Sequence, residues 1–380
     1  MSSDPEQEYF ADGMVEEIIT ALSRIRWLFV IARNSSFTYK GRSVDVKQVG
    51  RELGVRYVLE GSVRKSGQRI RITGQLIDAL TGTHLWADRF DGSLEDICEV
   101  QDAVAVRVAG AIEPTLQAAE IRRSSERPTN DLTAYDLYVR ALPHFAAQEK
   151  DRVFQALDLL GQAIERDPHY GPALALAAHF HQWLAANDWA DDLETIRGRG
   201  IDLARRALRC APDDPDVLSF AGFTLAHCGE DINVALGLIE RSFALNPCFA
   251  RGWLQSGVAR LLAGQPDLAI ERFETAFRLS PRNFSGPGTG VGAAHFFSRR
   301  FEDAAAILLS ALERGLAVPI TYRFLAACYA HMGRLDEARE IVNRLRAITP
   351  VVIPSVIPYR NPEHREPLLS GLRLAMGEST

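Results

Sequence analysis

From residue 250 to residue 281 the apolar and polar positions follow the period of two amphipathic helices with a turn at 264–267. Counting Ala250 as position 1, Trp253 stands at 4, Gly257 at 8, Ala269 at 20, Phe273 at 24, Ala276 at 27 and Pro281 at 32. Small residues at 8, 20 and 27 let two helix backbones approach. Large ones at 4 and 24 fill the space between them, and the proline ends the second helix. The pattern recurs. Closing prolines stand at Pro168, Pro212, Pro247, Pro281 and Pro350, with spacings of 44, 35, 34 and 69. These are one repeat with an insertion near 187–192, then one, one and two repeats. Another clean unit opens at Pro319 and carries Tyr322, Leu325, Ala326, Tyr329, Gly333 and Ala338. Pro172, Pro215 and Pro319 sit in first helical turns, where a missing N–H costs nothing. About six helix pairs are therefore expected over 132–350, the first beginning near Ala134 and kinked at Pro143. The tail, 351–380, carries Pro354, Pro358, Pro362 and Pro367 and then one short helix to cap the array.

The first 117 residues have a different rhythm. Residues 14–25 carry a helical stripe of Val15, Ile18, Ile19, Leu22 and Ile25. The apolar run 27–32 suits a buried strand. Residues 45–53 read as a short helix with Asp45 as N-cap and Gly54 as its stop. Residues 55–64 and 69–78 read as a hairpin, since Arg69, Ile70, Arg71 and Ile72 alternate strictly. A third strand follows at 84–90 and a helix at 94–116. Residues 121–131 are polar and patternless, so 118–131 reads as a linker. The expected fold is an α+β domain over 1–117, with a mixed sheet and flanking helices, followed by an all-α solenoid.

The marked positions of 250–281 resemble the tetratricopeptide repeat. The amino-terminal run resembles the TolB-like (FlgO-like) domain. Its shared phrases are Tyr9-Phe-Ala-Asp-Gly-Met14, Gly50-Arg-Glu-Leu-Gly-Val-Arg-Tyr-Val-Leu-Glu-Gly-Ser-Val63 and Trp86-Ala-Asp-Arg-Phe90. Members of that family place an apolar strand before the first phrase, whereas this chain starts inside it. The resemblance thus implies either a reading frame cut short, which is the favoured expectation, or a domain that lacks an edge or central strand. The two modules in this order resemble the carboxy-terminal part of bacterial proteins that begin with a class III adenylate/guanylate cyclase domain. Others of that broad group begin with a winged-helix DNA-binding domain.

The bulk numbers narrow the function. A net charge of −6 argues against a general nucleic-acid binder, because phosphate contacts need a basic footprint. No apolar run approaches membrane-spanning length. Five scattered cysteines without C-x-x-C spacing suit a reduced, cytoplasmic setting. The glycine run from Gly286 to Gly292 lacks a preceding strand and a following Lys-Ser/Thr, so it reads as a degenerate repeat helix and not as a phosphate loop. His179 and His181 point to different helix faces. Glu60 and Asp78 on the strands read as solvated or structural, and Arg64, Arg69 and Arg71 as a wet sheet face or a docking surface. Neither catalytic motif, cofactor nor metal site is expected, and the residues match none of a cyclase's active-site phrases.

Binding is expected at the concave face of the repeats, at positions 2, 5, 9, 12 and 13 of each first helix. These include Asp216, Phe223 and His227, then Arg251, Leu254, Val258 and Leu262, then Phe296 and Phe297, then Arg323 and His331. Such an apolar groove with arginine anchors suits a peptide or a partner helix. The other reading is that several of these residues pack between repeats. The expected function is a non-catalytic protein–protein interaction and regulatory module of a bacterial signalling protein. Its alternatives are the regulatory half of a cyclase or of a winged-helix transcriptional regulator.

Overall fold

The computed structural model describes residues 5–42, 44–66, 69–93, 97–125, 133–147, 149–280, 288–314, 318–355 and 357–378. The chain divides into two compact units, Met1–Arg123 with Asn246–Cys248, and Ser124–Leu245 with Phe249–Thr380.

The first unit contains α1 (Pro5–Ser23), α2 (Arg33–Ser36), a 3-10 turn (Phe37–Tyr39), α3 (Val46–Leu53), β1 (Tyr57–Ser66), β2 (Arg69–Asp78), β3 (His84–Ser93) and α4 (Ile97–Ser125). Helix α3 is bounded by local chemistry. The Asp45 carboxylate accepts from the Lys47 N–H at 3.0 Å, and Gly54 closes the helix at a φ of 66°, where a side chain would be strained. The strands pair in the order β1-β2-β3, with Val63 opposite Ile72 and Ile72 opposite Phe90. Period-2 alternation puts Ile70, Ile72, Leu76, Trp86 and Phe90 into one core with Phe10 and Met14 of α1 and Val104, Val108, Ile112 and Leu116 of α4. The other face is polar: Ser62 and Thr73 hydroxyls lie 2.8 Å apart, Gln75 donates to Glu60, and Arg71 pairs with Asp91 at 2.8 Å.

Three expectations for this unit are corrected. The sheet is antiparallel throughout its described strands, not mixed. Residues 27–32 form no strand. Trp27 and Leu28 pack partly against the core, but Phe29 is 86% exposed, and the run pairs with no described strand. An apolar run becomes a strand only where another strand completes its hydrogen bonds. Helix α4 also continues to Ser125, so 118–125 is not linker; residues 126–132 lie outside the described residues. Its last turns are tied down. Leu116, Ala119 and Glu120 are buried, the Tyr57 hydroxyl donates to Glu120 at 2.6 Å, and Arg123 Nε donates to the same carboxylate at 2.9 Å.

The second unit is a stack of helix pairs: α5 (Ala134–Ala147) with α6 (Lys150–Arg166), α7 (Gly171–Ala186) with α8 (Leu193–Cys210), α9 (Pro215–His227) with α10 (Ile232–Leu245), α11 (Ala250–Leu262) with α12 (Pro266–Leu279), α13 (Thr289–Phe297) with α14 (Phe301–Glu313), and α15 (Pro319–His331) with α16 (Leu335–Arg346). A final helix, α17 (Pro362–Met376), follows. Within the pairs from α7 to α16 the turn repeats one device. The N–H of residue 189, 230, 265, 300 or 334 reaches back five residues to the carbonyl of 184, 225, 260, 295 or 329. The residue before each donor is left-handed: Gly229, Gly264 and Gly333, but also Asp188 (φ 54°) and Arg299 (φ 58°). This 6→1 closure satisfies orphan carbonyls at the helix end.

Close approach within a pair depends on small residues. A Cβ on Gly257 of α11 would lie 2.5 Å from Phe273 of α12, and one on Gly292 of α13 would lie 2.6 Å from Leu308 of α14. Gly292 therefore serves as a packing position inside a repeat helix. Of the glycine run, residues 286 and 287 lie outside the described residues.

Candidate functional site: the inner face of the helical array

Second helices such as α8 and α16 bury one stripe, Gly200, Ala204 and Ala207 in α8. First helices are buried nearly all round: α15 buries every residue from Thr321 to Ala330. A helix apolar on both faces must be covered on both. The second helices cover one side, and the chain's own carboxy-terminal segment covers much of the other.

That segment crosses the first helices one after another. Arg323 of α15 is 2% exposed and donates through Nε and Nη2 to the carbonyls of Val352 and Val351, each at 2.9 Å. Burial lowers its pKa while leaving it a cation. Ser355 donates to Asp188, at the turn after α7. The Tyr359 ring is buried edge-on to Phe297 at 4.7 Å and to Phe324 at 6.0 Å. The Arg360 N–H donates to the Leu262 carbonyl at 3.2 Å. Its guanidinium donates to the Ala226 carbonyl at 2.9 Å and to that of Glu230. His364 stacks on Phe297 at 4.6 Å, and His331 Nε2 donates to the Pro367 carbonyl at 2.7 Å, which fixes its tautomer.

The concave residues expected from sequence therefore fall into two groups. Leu262, Phe296, Phe297, Arg323 and His331 do not line an open groove. The segment 351–376 covers Phe297, Arg323 and His331, Leu262 is 1% exposed with its carbonyl taken by Arg360, and Phe296 is 1% exposed. Leu254 and Val258 remain half-buried on α11. Asp216 and Arg251 keep 18% and 22% of their side-chain surface and lie 3.8 Å apart. Burial, with Asp214 adding repulsion, raises the Asp216 carboxyl to about 7 against the opposing pull of Arg251. The Arg251 guanidinium lies over Phe220 at 5.4 Å. Phe223 is buried beside His179 at 5.0 Å and against His227 at 4.2 Å. Burial takes the His227 imidazole down to about 4.

Sequence reasoning missed Tyr359, Arg360 and His364, which lie in a tail read only as a cap. The available signal was that α7, α9, α13 and α15 are apolar on every face, more than one layer of second helices can cover. Glu60 is exposed and accepts from Gln75, whereas Asp78 has structural surroundings. Asp78 is 7% exposed and accepts from the N–H groups of Leu80 and Thr81 at 2.9 and 3.2 Å. His179 and His181 converge on no common point, and among the described residues no group of three or more His, Cys, Asp or Glu side chains is placed to hold a metal. No described helix is long and apolar enough to cross a membrane.

The pairing, the recurring 6→1 turns and the small-residue contacts define an array of stacked helix pairs, a helical-repeat fold. No protein-family model matches the chain. A curated relative from Rhizobium meliloti (strain 1021), described as putative adenylate cyclase 3, is 45% identical over 221 residues, 57% of this chain and 37% of the relative. The chain thus spans little more than a third of that protein's length. Among solved structures, a tetratricopeptide repeat protein from Parabacteroides merdae is 14% identical with a TM-score of 0.44, over 74% of this chain and 95% of that one. The type IV pilus biogenesis factor PilW is 16% identical with a TM-score of 0.40, over 61% and 97%.

Proposed function

We propose that this chain is a non-catalytic interaction and regulatory module of a bacterial signalling protein, docking a peptide or partner protein on the inner face of its helical array. One observation carries the reading: that face already holds a non-helical stretch of polypeptide, residues 357–361, by main-chain, guanidinium and aromatic contacts. Recognition of a non-helical segment by pockets and backbone groups is a general mode of peptide binding. In this reading residues 1–117 are a TolB-like domain, 132–350 the repeat array and 351–380 its capping tail. Among the described residues, Cys210, Cys228, Cys248 and Cys328 are free thiols, which fits the cytoplasmic setting of this reading.

The test is a photo-crosslinking amino acid at Leu254 or Val258, in cells of the source organism, against a control at Val234. That control residue is 59% exposed on α10. Crosslinked products from the α11 positions and none from the control support the reading; equal labelling at all three refutes it.

The relative's description favours a second reading, in which the module regulates cyclic-nucleotide synthesis carried out elsewhere in a longer protein. Fusing the module to a class III cyclase domain and measuring cyclic AMP with and without the array tests it. Unchanged output rejects it.

A further inference from the structure

Between α16 and α17 the described residues form neither helix nor strand, yet they are held by sockets that belong to other helices. The Arg360 guanidinium occupies the carbonyls of Ala226, at the end of α9, and of Glu230, in the turn that follows, while the Arg360 backbone N–H takes that of Leu262 at the end of α11. Helix ends leave such carbonyls without intrahelical partners, and their dipole favours a cation. Tyr359 fills the space between Phe297 and Phe324. Pro354, Pro358 and Pro362 fix φ at three points along the segment, which lowers the entropy lost on docking. Backbone carbonyls and an aromatic pocket recognise a chemistry, a flat ring followed by a forked cation, and not the identity of the chain that brings it.

We propose that the inner face from α9 to α15 is a groove for a non-helical, proline-bounded segment carrying an aromatic–arginine pair, with Tyr359 and Arg360 as its resident ligand, displaced by a partner segment of the same chemistry. The proposal rests on the docking reading above and names the ligand class of that face. A tethered occupant works at an effective concentration on the order of 1 mM, so it keeps out weak competitors and yields to tight ones. Arginine is required because one guanidinium reaches two carbonyls at once, which a lysine ammonium on its single point does poorly.

The experiment uses the full chain and a fluorescein-labelled peptide of residues 351–363, V-V-I-P-S-V-I-P-Y-R-N-P-E. Binding is read by polarisation to the intact chain and to the Tyr359→Ala/Arg360→Ala chain. The substituted chain is expected to bind at least tenfold tighter, and a peptide with the same two substitutions to lose that gain. Circular dichroism melts establish that the chains are folded. Arg360→Lys, the milder change, is expected to give an intermediate affinity and keeps the test available should the double variant fold poorly. Equal affinity for intact and substituted chains, or no binding to a folded variant, overturns the proposal. So does a dimer of the intact chain held by exchanged tails, seen by light scattering. Crosslinking at Leu254 that persists after such a result leaves the docking reading standing and removes only this inference.

Discussion

The contact between Gly257 and Phe273 allows a test with a definite sign. The Phe273 ring, 1% exposed, lies against Gly257 of its own pair and Gly290 of the next helix. A Cβ on Gly257 would sit 2.5, 2.7 and 2.9 Å from three ring carbons, well inside the ~3.5–4.0 Å of favourable carbon contact. Gly257→Ala therefore overpacks by about 1–3 kcal/mol, offset by the roughly 1 kcal/mol that alanine gains over glycine in a helix. Phe273→Ala opens a cavity and costs about 3–5 kcal/mol. In the double variant the ring is gone, the clash disappears and only the helix gain remains. Gly257→Ala should then turn from costly to stabilising by ~1 kcal/mol. The helix term cancels in the cycle, so the coupling equals the overpacking, about 1–3 kcal/mol. Guanidinium denaturation of the four chains, with hydrogen exchange on α11 and α12, measures it. A cost for Gly257→Ala that is the same in both backgrounds refutes the reasoning.

Three further outcomes are expected. Arg299 is left-handed at an exposed turn where other pairs use glycine, so Arg299→Gly should stabilise by about 1 kcal/mol; a lower melting temperature counts against the turn assignment. His227 is held near 4 when folded, below its ordinary 6.5, so its contribution is present above pH 6.5 and lost as pH falls toward 4; Asp216, raised to about 7, does the reverse and loses its contribution as pH rises from ordinary carboxyl values toward 7. The two windows overlap and oppose each other, so between pH 4 and 6.5 the melting temperature should climb less with rising pH, or fall, in His227→Gln and climb more in Asp216→Asn than in the parent chain; unchanged profiles would show that these groups titrate alike folded and unfolded. Purified chain given nucleoside triphosphates with Mg²⁺ or Mn²⁺ should make no cyclic AMP or cyclic GMP, and turnover that disappears on mutating residues of this chain would contradict the non-catalytic reading.

What the sequence by itself determined was local and periodic. A helix needs only its own residues at i, i+3 and i+4, and a repeat needs only the same small and large residues at a fixed spacing. Hence Gly257, Ala269, Phe273 and Ala276 announced a helix pair, Asp45 and Gly54 bounded a helix, and Arg69 to Ile72 announced a strand with one wet face. Asp216, Arg251, Leu254 and Val258 were expected at the inner face from their phase along a first helix alone. Only the tertiary structure decided what covers that face. Whether the run 27–32 pairs as a strand depends on a partner that its own residues do not encode. The extension of α4 past residue 117 depends on Tyr57 meeting Glu120. Arg323 and Phe297 could be read as groove or as core, and the choice fell to Val351, Val352 and Tyr359; Arg360 reaches Ala226 across a sequence separation of 134 residues. Periodicity tells which side of a helix is apolar, but the covering of that side is fixed by pairs of residues far apart in the chain, brought together only once the array has folded and its tail has turned back along it.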